Sequence, residues 1–379
     1  MRQILHFNGD AISGEAPFWV WEARPGSLDL EDLRARLLDA RVRFSGGGAI
    51  GFWSYEALQS LEPRAFPVAR TDDLGLPLAR LVFCEKLTRR RFARPAPRRA
   101  LLPQEAPDWP DVRRFYVDGV EKIKSYIAAG DIYQANLTYR FQVENHRQPQ
   151  TLSQRLRRLN GAPAPRAALL EWDDFSIVSD APETFLTLKG KTLEARPIKG
   201  TIRRGADPEK DETLKFELAN SAKDRAENVM IVDLMRNDLG RVCEFGSVCV
   251  PQLFQIETFP TLHHGVSVVR GTLRKECDGL DAFVAAFPCG SITGAPKMRA
   301  MQILNELEPE PRGAAMGAIG YFGFDGNMEW SVAIRTATLI GNRAYFHVGG
   351  GIVADSQPEA EYDEMRLKAR ALWTVLNPT

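Results

Sequence analysis

Strand-like segments joined by short turns are the feature that most constrains how this chain can fold. In DIYQANLTYRFQV, which begins at Asp131, apolar and polar side chains alternate with a period of two. This alternation is typical of a strand with two different faces. One face carries the apolar residues, and the other carries Gln134, Asn136, Thr138 and Arg140. The polar face is therefore expected either to contact water or to line a site.

Further strands and a few long helices follow along the chain. Strands are predicted at 167–172, 175–179, 184–188, 192–196, 248–256, 264–273, 316–324, 330–340 and 343–348. Helices are predicted at 112–127, with Gly130 as the C-terminal cap, and near 211–238, 278–286, 296–306 and 357–376. Turns such as Lys189-Gly190-Lys191 are typical of hairpins. Hairpins interrupted by long helices indicate an α+β protein with antiparallel sheets.

Composition excludes several classes of protein. The 379 residues, 44% hydrophobic and 26% charged, suffice for one large domain or two ordinary ones. The 49 basic and 49 acidic residues cancel, so net charge gives no argument for nucleic acid or a membrane surface. We find no signal sequence and no apolar stretch that approaches a membrane span. The five cysteines form no C-x-x-C pair, which predicts a reduced, cytoplasmic protein without disulfides or structural zinc.

The segment Lys86–Pro110, rich in Arg and Pro, is a candidate boundary. A basic patch for nucleic acid is one interpretation, but the arginines lack interleaved aromatic residues on which bases would stack. A solvated connection is the favoured interpretation. We therefore predict an N-terminal region, 1–108, followed by a larger domain, 109–379.

A glycine run precedes the last predicted helix. Gly349, Gly350 and Gly351 have no side chains, so a ligand or another backbone segment can come close. Ser356 is predicted as the N-cap of the helix, and Pro358 fits its first turn.

Two carboxylates on that helix need a partner. Glu361 and Glu364 are three residues apart and share a face. They either form a solvated acidic face paired with Arg366 or Lys368, or bind a hard divalent cation through carboxylate oxygens. Glu227, on the inward edge of another apolar helix, is a third candidate ligand because a charge there needs a partner.

The segment CGSITGAPK, residues 289–297, is predicted to be a flexible turn that opens a helix at Pro296. It lacks the G-x-x-x-x-G-K-[ST] pattern of a phosphate loop. The N-terminus of that helix suits a carboxylate as well as a phosphate. The turn residues are Gly290, Ser291, Thr293 and Gly294.

Three cationic or titratable positions are further candidates. Arg335 is predicted in the middle of a strand, where its rigid fork suits a carboxylate. His263 and His264 are adjacent, so only one can point into a given site if the segment is extended. Lys199, in ARPIKGTIRRG, is either a solvent-exposed turn lysine or a nucleophile, and the residues alone favour the turn lysine.

Seven dispersed motifs occur in the order of one family. They are DIYQANL, SDAPETFL, RPIKGT, AENVMIVDLMRNDLGRV, CGSITGAPK, AIRTA and the segment from GGGIVADS to DEMRLKA. From about Asp111 to Leu376 the chain resembles the chorismate-utilising enzymes, in particular the component I subunits of aminodeoxychorismate and anthranilate synthases. The resemblance implies two antiparallel sheets packed face to face and flanked by helices, with the active site in the central cleft.

The resemblance also implies roles for matching residues. Glu227 and Glu364 match ligands of a magnesium ion that binds a chorismate carboxylate, with Glu361 as a further ligand that lies close by or acts through water. Glu183 matches the general acid that protonates the leaving C4 hydroxyl, and His264 matches a histidine near the ring. The matching substrate-binding positions are Gln134, Thr201, Ser291, Thr293, Gly294, Arg335, Gly349, Gly350 and Gly351, with Arg335 on the pyruvyl carboxylate.

Lys199 distinguishes two branches of the family. Anthranilate synthases usually read P-I-A-G-T here, whereas aminodeoxychorismate synthases read P-I-K-G-T. Lys199 therefore resembles the lysine thought to attack C2 of chorismate, after which ammonia adds at C4. Gln134 stands where water-adding relatives carry a lysine base. The implied activity is transaminase-class conversion of chorismate to 4-amino-4-deoxychorismate, on the route to p-aminobenzoate and folate.

Partners and alternatives follow from the same comparison. No cysteine lies in a G-x-C-x-G turn, so ammonia is implied to come from a separate glutamine amidotransferase subunit. One alternative is an anthranilate synthase, against which Lys199 argues. The other is a non-catalytic chorismate-binding scaffold, against which the intact acidic residues argue. One departure is Ala314-Ala315, which follow Arg312-Gly313 where the family usually has an aromatic residue.

Overall fold

Antiparallel strands and flanking helices make up the structure, a computed structural model that describes residues 1–66, 72–91, 104–160, 163–259 and 262–377. The strands are β1 Arg2–Phe7, β2 Asp10–Ala23, β3 Gly48–Trp53, β4 Ala79–Arg91, β5 Gln134–Glu144, β6 Arg166–Glu171, β7 Ser176–Ala181, β8 Thr184–Lys189, β9 Thr192–Arg196, β10 Ile198–Arg203, β11 Cys249–Thr258, β12 Leu262–Thr272, β13 Gly294–Ala295, β14 Ala318–Gly323, β15 Met328–Val332, β16 Thr336–Ile340 and β17 Arg343–Ile352. The helices are α1 Leu30–Arg43, α2 Leu58–Leu61, α3 Pro110–Ala128, α4 Pro149–Asn160, α5 Pro208–Ala219, α6 Ala222–Gly240, α7 Gly279–Ala286, α8 Lys297–Leu307 and α9 Pro358–Leu376. Short 3₁₀ turns lie at Tyr55–Ala57, Pro63–Ala65 and Gly290–Ile292.

Within the described residues, the seventeen strands form one antiparallel ladder. One half runs in the order β13–β5–β17–β16–β7–β6–β1–β2. The other half runs β3–β14–β15–β8–β9–β12, with β10 and β11 also paired to β12. The long strand β4 pairs with both β2 and β3 and so joins the two halves.

The two halves pack face to face around an apolar core. Phe52 of β3 and Ile319 of β14 belong to one half, and Leu170 of β6 and Ile177 of β7 belong to the other. The Phe52 and Trp172 rings lie 5.6 Å apart between centroids. The expected α+β fold is therefore confirmed. Its two layers are halves of one continuous sheet, because β4 is long enough to pair on both sides.

Helices α3, α8 and α9 pack against β5 and β17. The apolar face of β5, including Ala135 and Leu137, lies in this second core with Tyr116 of α3. The opposite face carries Gln134 and Thr138, and both are buried. The polar face was expected either to contact water or to line a site. Contact with water is therefore wrong, and the face points into the interior, where the candidate site lies.

Most predicted elements are present, and three of the differences concern segments with candidate site residues. The helix expected at 211–238 is two helices, because the Ser221 side chain caps a new one by accepting from the Asp224 backbone amide. The strand expected at 330–340 is β15 and β16, interrupted at Arg335, whose φ of 50° is incompatible with a strand. The strand β10 was not expected, since Gly200 inside it, at φ 78°, resembles a turn residue.

The predicted connection Lys86–Pro110 begins later than expected. Lys86–Arg91 continues β4 and pairs with β2, and residues 92–103 lie outside the described residues. The boundary at residue 108 stays a prediction. Strand pairing crosses it, since β1 pairs with β6 and β3 pairs with β14. None of the helices in the described ranges has the length and apolar character that crossing a membrane requires.

Candidate active site

Lys199 lies inside the fold on β10, so the solvent-exposed turn expected from the residues alone is wrong. The Lys199 backbone pairs with Gly265 of β12, and the pairing register shifts between Lys199 and Thr201. The Lys199 side chain is 13% exposed, and its Nζ lies 3.8 Å from Oε2 of Glu227 on α6. A β-bulge of this kind redirects a side chain locally. The bulge and the ion pair place the lysine amine beside the predicted metal ligands.

Gln134 and Gly351 face the same space from β5 and β17. A Cβ at Gly351 would overlap Gln134 Nε2 and would come within 3.4 Å of Lys199 Nζ. Both polar atoms of the fully buried Gln134 side chain lack a hydrogen-bond partner among the described residues. Native proteins rarely leave buried amide groups unpaired. The glycine therefore keeps open a small polar space between the amide and the lysine.

Gly349 and Gly350 allow close packing of the sheet as well as the approach of a ligand. A Cβ at Gly349 would clash with the carbonyl oxygen of Leu137 on the paired strand. A Cβ at Gly350 would lie 3.5 Å from Glu361 Oε2 and 3.4 Å from Lys368 Nζ. The predicted close approach of another backbone is thus confirmed at Gly349, and charged side chains surround Gly350.

Glu183 is a buried carboxyl group between β7 and β8. Burial raises its pKa to about 7, opposed by a hydrogen bond from the Ser291 side chain and by the charge of Lys199. The Ile198 backbone amide also donates to it over 3.5 Å. A carboxyl group that is half protonated near neutral pH can donate a proton as a general acid.

His264 and Arg335 lie near one another, since the charge of Arg335 acts on the imidazole. His264 Nδ1 lies 2.8 Å from the Thr201 hydroxyl, and burial together with the charge of Arg335 lowers the histidine pKa to about 4. Among the described residues, no carboxylate lies within ion-pair distance of the Arg335 guanidinium. Burial lowers the Arg335 pKa, and the charge of Asp180 opposes the shift. The site thus presents a neutral imidazole beside an arginine that lacks such a carboxylate.

The turn with Ser291, Thr293 and Gly294 is buried and docks on β5. The Thr293 carbonyl accepts from the Asn136 amide over 2.8 Å, and Gly294 pairs with Ala135. The Thr293 hydroxyl donates within the turn, to the carbonyls of Cys289 and Gly290. The expected turn and the helix after Pro296 are confirmed, and the Ser291 side chain is the polar group that reaches Glu183.

Glu361, at the start of α9, is held by Ser356. The serine hydroxyl donates to Glu361 Oε1 over 2.6 Å and accepts from the Val353 amide. The prediction that Ser356 is the N-cap is therefore wrong, because its hydroxyl is committed to these two groups and Gln357 occupies the cap position. Pro358 opens the helix as predicted.

Glu364 pairs with Lys368 over 2.7 Å, as the solvated-face interpretation expected. Lys368 Nζ also donates to the Gly349 carbonyl over 3.2 Å. Burial opposes ionisation of Glu364, but the charges of Lys368 and Lys223 hold its pKa below the usual range. Burial raises the pKa of Glu227 despite Lys199 and Lys223, and the nearby charges of Asp224 and Glu361 add to the rise.

The three predicted metal ligands thus come from two helices, α6 and α9. In the described part of the chain, no three His, Cys, Asp or Glu side chains are grouped closely enough to hold a metal ion. Lysines lie beside Glu227 and Glu364 instead. The donor set suits a hard cation, since all three groups are carboxylates and that of Glu227 is destabilised by burial. Magnesium stays a prediction.

Sequence reasoning missed several side chains around the site. Tyr116 of α3 is buried with its hydroxyl against the Gly350 backbone and the charges of Glu361 and Glu364. Its helical spacing had marked it only as a core residue. Asp224 precedes Glu227 by one helical turn, and this i, i+3 spacing was a usable signal. Ala314 and Ala315, the departure from the family pattern, are both buried.

The profile of the chorismate binding enzyme family matches residues 93–374. The chain belongs to this family. The description of the family makes the buried residues above a candidate site for chorismate.

Curated relatives come from two branches. Aminodeoxychorismate synthase component 1 of Klebsiella aerogenes is 49% identical over 252 residues, which are 66% of this chain and 55% of the relative. The Escherichia coli K12 protein of that name is 48% identical over 259 residues, 68% of this chain and 57% of the relative. The chain therefore spans little more than half the length of these two relatives. Anthranilate synthase component 1 of Bacillus caldotenax is 39% identical over 395 residues, 91% of this chain and 77% of the relative.

Solved structures confirm the fold. Anthranilate synthase component I of Streptococcus pneumoniae superposes with a TM-score of 0.80 at 28% identity, over 97% of this chain and 92% of that chain. The menaquinone-specific isochorismate synthase of Escherichia coli has a TM-score of 0.76 at 18% identity, over 99% of this chain and 88% of that chain, and shares the fold.

Proposed function

We propose that this chain aminates chorismate to 4-amino-4-deoxychorismate, with ammonia supplied by a separate glutamine amidotransferase subunit. The observation that carries the proposal is the position of Lys199, 3.8 Å from Glu227 and close enough to Glu183 for its charge to affect that carboxyl group. An alanine, which anthranilate synthases usually have here, would offer no nucleophile. The aminodeoxychorismate synthase relatives support the same branch.

Lys199 and Glu183 divide the first step between them. The neutral lysine amine forms a bond to C2 of chorismate, both ring double bonds shift by one position towards C4, and the C4–oxygen bond breaks. Glu183 gives its proton to the departing hydroxyl, which leaves as water. Ammonia then bonds to C4, both double bonds shift back, and the bond from C2 to Lys199 breaks with its electron pair returning to the lysine nitrogen. The new C4 ammonium gives a proton back to Glu183, which restores the acid. The product keeps the pyruvyl group.

The remaining site residues hold the substrate. Arg335 lacks a carboxylate partner within the described residues and suits the pyruvyl carboxylate through its rigid fork. Backbone groups of the Ser291–Gly294 turn and of the Gly349–Gly351 run line the space that is left. The unpaired amide of Gln134 can bond to a polar substrate group or to ammonia, because it has both a donor and an acceptor.

Magnesium would be held by Glu227, Glu361 and Glu364. When bound, the ion neutralises a chorismate carboxylate and holds the ring in place. The chain's own contribution is to bring the carboxylates of α6 and α9 together and to fix Glu361 through Ser356.

Anthranilate formation is the second candidate. The long alignment with the Bacillus caldotenax relative and the Streptococcus pneumoniae structure favour it. The two reactions differ in product, since anthranilate formation also releases pyruvate.

One experiment separates the candidates. The purified chain is given chorismate, magnesium and an ammonium salt, and the products are identified by mass. We expect 4-amino-4-deoxychorismate as the main product; mainly anthranilate and pyruvate would overturn the proposal. Glutamine in place of ammonium should support turnover only after an amidotransferase subunit is added, and glutamine-dependent turnover by the chain alone would refute the partner assignment.

A further inference from the structure

Arg312 joins two segments that carry active-site side chains. Its buried guanidinium donates to the Ile292 carbonyl over 2.9 Å and to the Asn136 carbonyl over 2.7 Å. Ile292 follows Ser291 in the active-site turn, and Asn136 lies on β5 two residues from Gln134. One planar group with fixed donor directions therefore adds a second link between the turn and the strand, beside their direct backbone pairing.

The charge of Arg312 is neutralised by Glu308. Both carboxylate oxygens of Glu308 accept from the guanidinium, each over 2.7 Å. The same Glu308 accepts from the amide and hydroxyl of Thr138 on β5, each over 2.8 Å. This pair anchors the guanidinium to β5 but leaves the Arg312 backbone to be held by something else.

Glu56, from the N-terminal region, holds that backbone. Its two carboxylate oxygens accept from the Arg312 amide over 2.7 Å and from the Gly313 amide over 2.8 Å. The neighbouring Tyr55 places its ring 4.4 Å from the guanidinium carbon, and its amide donates to the Gly313 carbonyl. Glu56 is buried and fixes the Arg312 backbone. The Arg312 side chain in turn contacts Ile292, the neighbour of Ser291.

We propose that Glu56 is a positioning residue for the active-site turn, acting through Arg312 on Ser291 and thereby on Glu183. The proposal rests on the general-acid role proposed for Glu183. The Ser291 side chain lies near enough to that carboxyl group to lower its pKa, and small displacements of positioned groups have large effects on rate. The N-terminal region thereby contributes to the geometry of a site whose reacting groups all lie in the C-terminal part.

The charged form of Glu56 is the one that can accept from two amides. Burial raises its pKa to about 7, opposed by hydrogen bonds from the Arg312 and Gly313 amides, and the charge of Asp72 adds to the rise. The charged and titratable groups that face it are Arg312, Glu308, Tyr55 and Asp72. An assay near pH 8, about one unit above this pKa, keeps the carboxylate mostly ionised.

A double-mutant cycle tests the proposal. Glu56→Gln keeps the shape but puts an NH₂ donor against one of the two amides. We expect it to lower kcat for chorismate consumption about tenfold, with KM changed less than about twofold. In a Ser291→Ala background the same change should lower kcat less than about twofold, because the connection to Glu183 is already broken.

A surface variant and a replacement variant serve as controls for the cycle. Glu62→Gln alters a surface carboxylate paired with Arg64 and should leave kcat unchanged. Wild-type kcat in Glu56→Gln, or the full tenfold loss in the Ser291→Ala background, would overturn the proposal. If circular dichroism shows Glu56→Gln unfolded, Glu56→Asp, which is too short to reach both amides, replaces it in the cycle. Because chorismate consumption is followed, an unexpected product would refute the proposed function and leave the cycle interpretable.

Discussion

Lys199 on β10 and Glu183 between β7 and β8 approach one another, and the proposed reaction needs a neutral amine and a protonated carboxyl group. The amine must be neutral to attack, whereas the carboxyl group must hold a proton to give away. Burial provides this for Glu183, whose pKa rises to about 7. The apolar surroundings therefore matter as much as the identity of the acid.

The pH dependence of kcat should reveal the ionisation of Glu183. Since Glu183 is protonated below its pKa of about 7, kcat should carry a limb that falls as pH rises through that value. The measurement is kcat with saturating chorismate and free ammonia held constant. Glu183→Gln should have low activity and lack this falling limb. An unchanged limb in Glu183→Gln would assign it to another group.

Covalent capture tests Lys199 directly. When chorismate is supplied without ammonia, an adduct should accumulate on the enzyme, and intact-protein mass spectrometry should map it to the peptide with Lys199. Lys199→Ala should lose the adduct, whereas the control Lys191→Ala, at an exposed hairpin lysine, should keep it. An adduct that persists in Lys199→Ala would refute the nucleophile while leaving the product assignment intact. Turnover by Lys199→Ala need not reach zero, because effects within one site are not additive.

At the scale of elements, the metal prediction depends on α6 and α9 together. Their carboxylates lie near one another, yet Lys199 and Lys368 lie beside Glu227 and Glu364. A divalent cation that binds there would stabilise the folded chain through its preferential binding.

Magnesium should therefore raise the thermal midpoint of the wild-type chain, and chelator should abolish turnover. Glu227→Gln and Glu364→Gln should each remove most of the midpoint shift and most of the activity, since each deletes a negative charge from the site. Glu359→Gln on the same helix, where the carboxylate pairs with Arg113 at the surface, is the matched control. Without magnesium, losing the half-exposed Glu364–Lys368 pair should cost less than about 1 kcal/mol. Full activity in chelator would contradict the metal assignment.

Hydrophobic periodicity and turn residues predicted the long helices and strands. They did not predict the local irregularities of the backbone near the site. The alternation over β5 and the helical spacing over α3 gave nearly the observed bounds. Strand β10 was missed because Gly200 introduces a bulge, and the break at Arg335 was missed because nothing in VAIRTATL signals a positive φ. Such irregularities depend on tertiary contacts rather than on local sequence. Strained backbone of this kind is found preferentially at functional sites.

The sequence named candidate site residues but not their contacts. The family resemblance, rather than residue type alone, implied an acid, a metal ligand and a nucleophile at Glu183, Glu227 and Lys199, and these roles stay predictions. Nothing in the sequence showed that Lys199 would contact Glu227 or that Ser356 would hold Glu361. Long-range contacts of this kind depend on how the two sheet halves close.

On the scale of the whole molecule, the N-terminal region and the rest of the chain share one sheet. Six residues of β1 pair with β6, and six of β3 pair with β14. The core between the halves also mixes both parts, with Phe52 beside Trp172. The residues proposed to react all lie after the predicted boundary, but the sheet and the core that hold them include residues on both sides of it.

Removing residues 1–108 should therefore destroy the fold of the remainder, even though the family profile matches almost entirely within 109–379. The cut would leave β6 and β14 without the neighbours they have in the sheet and would expose the apolar face with Leu170 and Ile319. Bare strand edges and large apolar patches cause aggregation. We expect 109–379 expressed alone to be insoluble, and co-expression with 1–108 to restore soluble protein that consumes chorismate. A soluble 109–379 monomer that unfolds cooperatively at the temperature of the full chain would show instead that the boundary separates two independent domains.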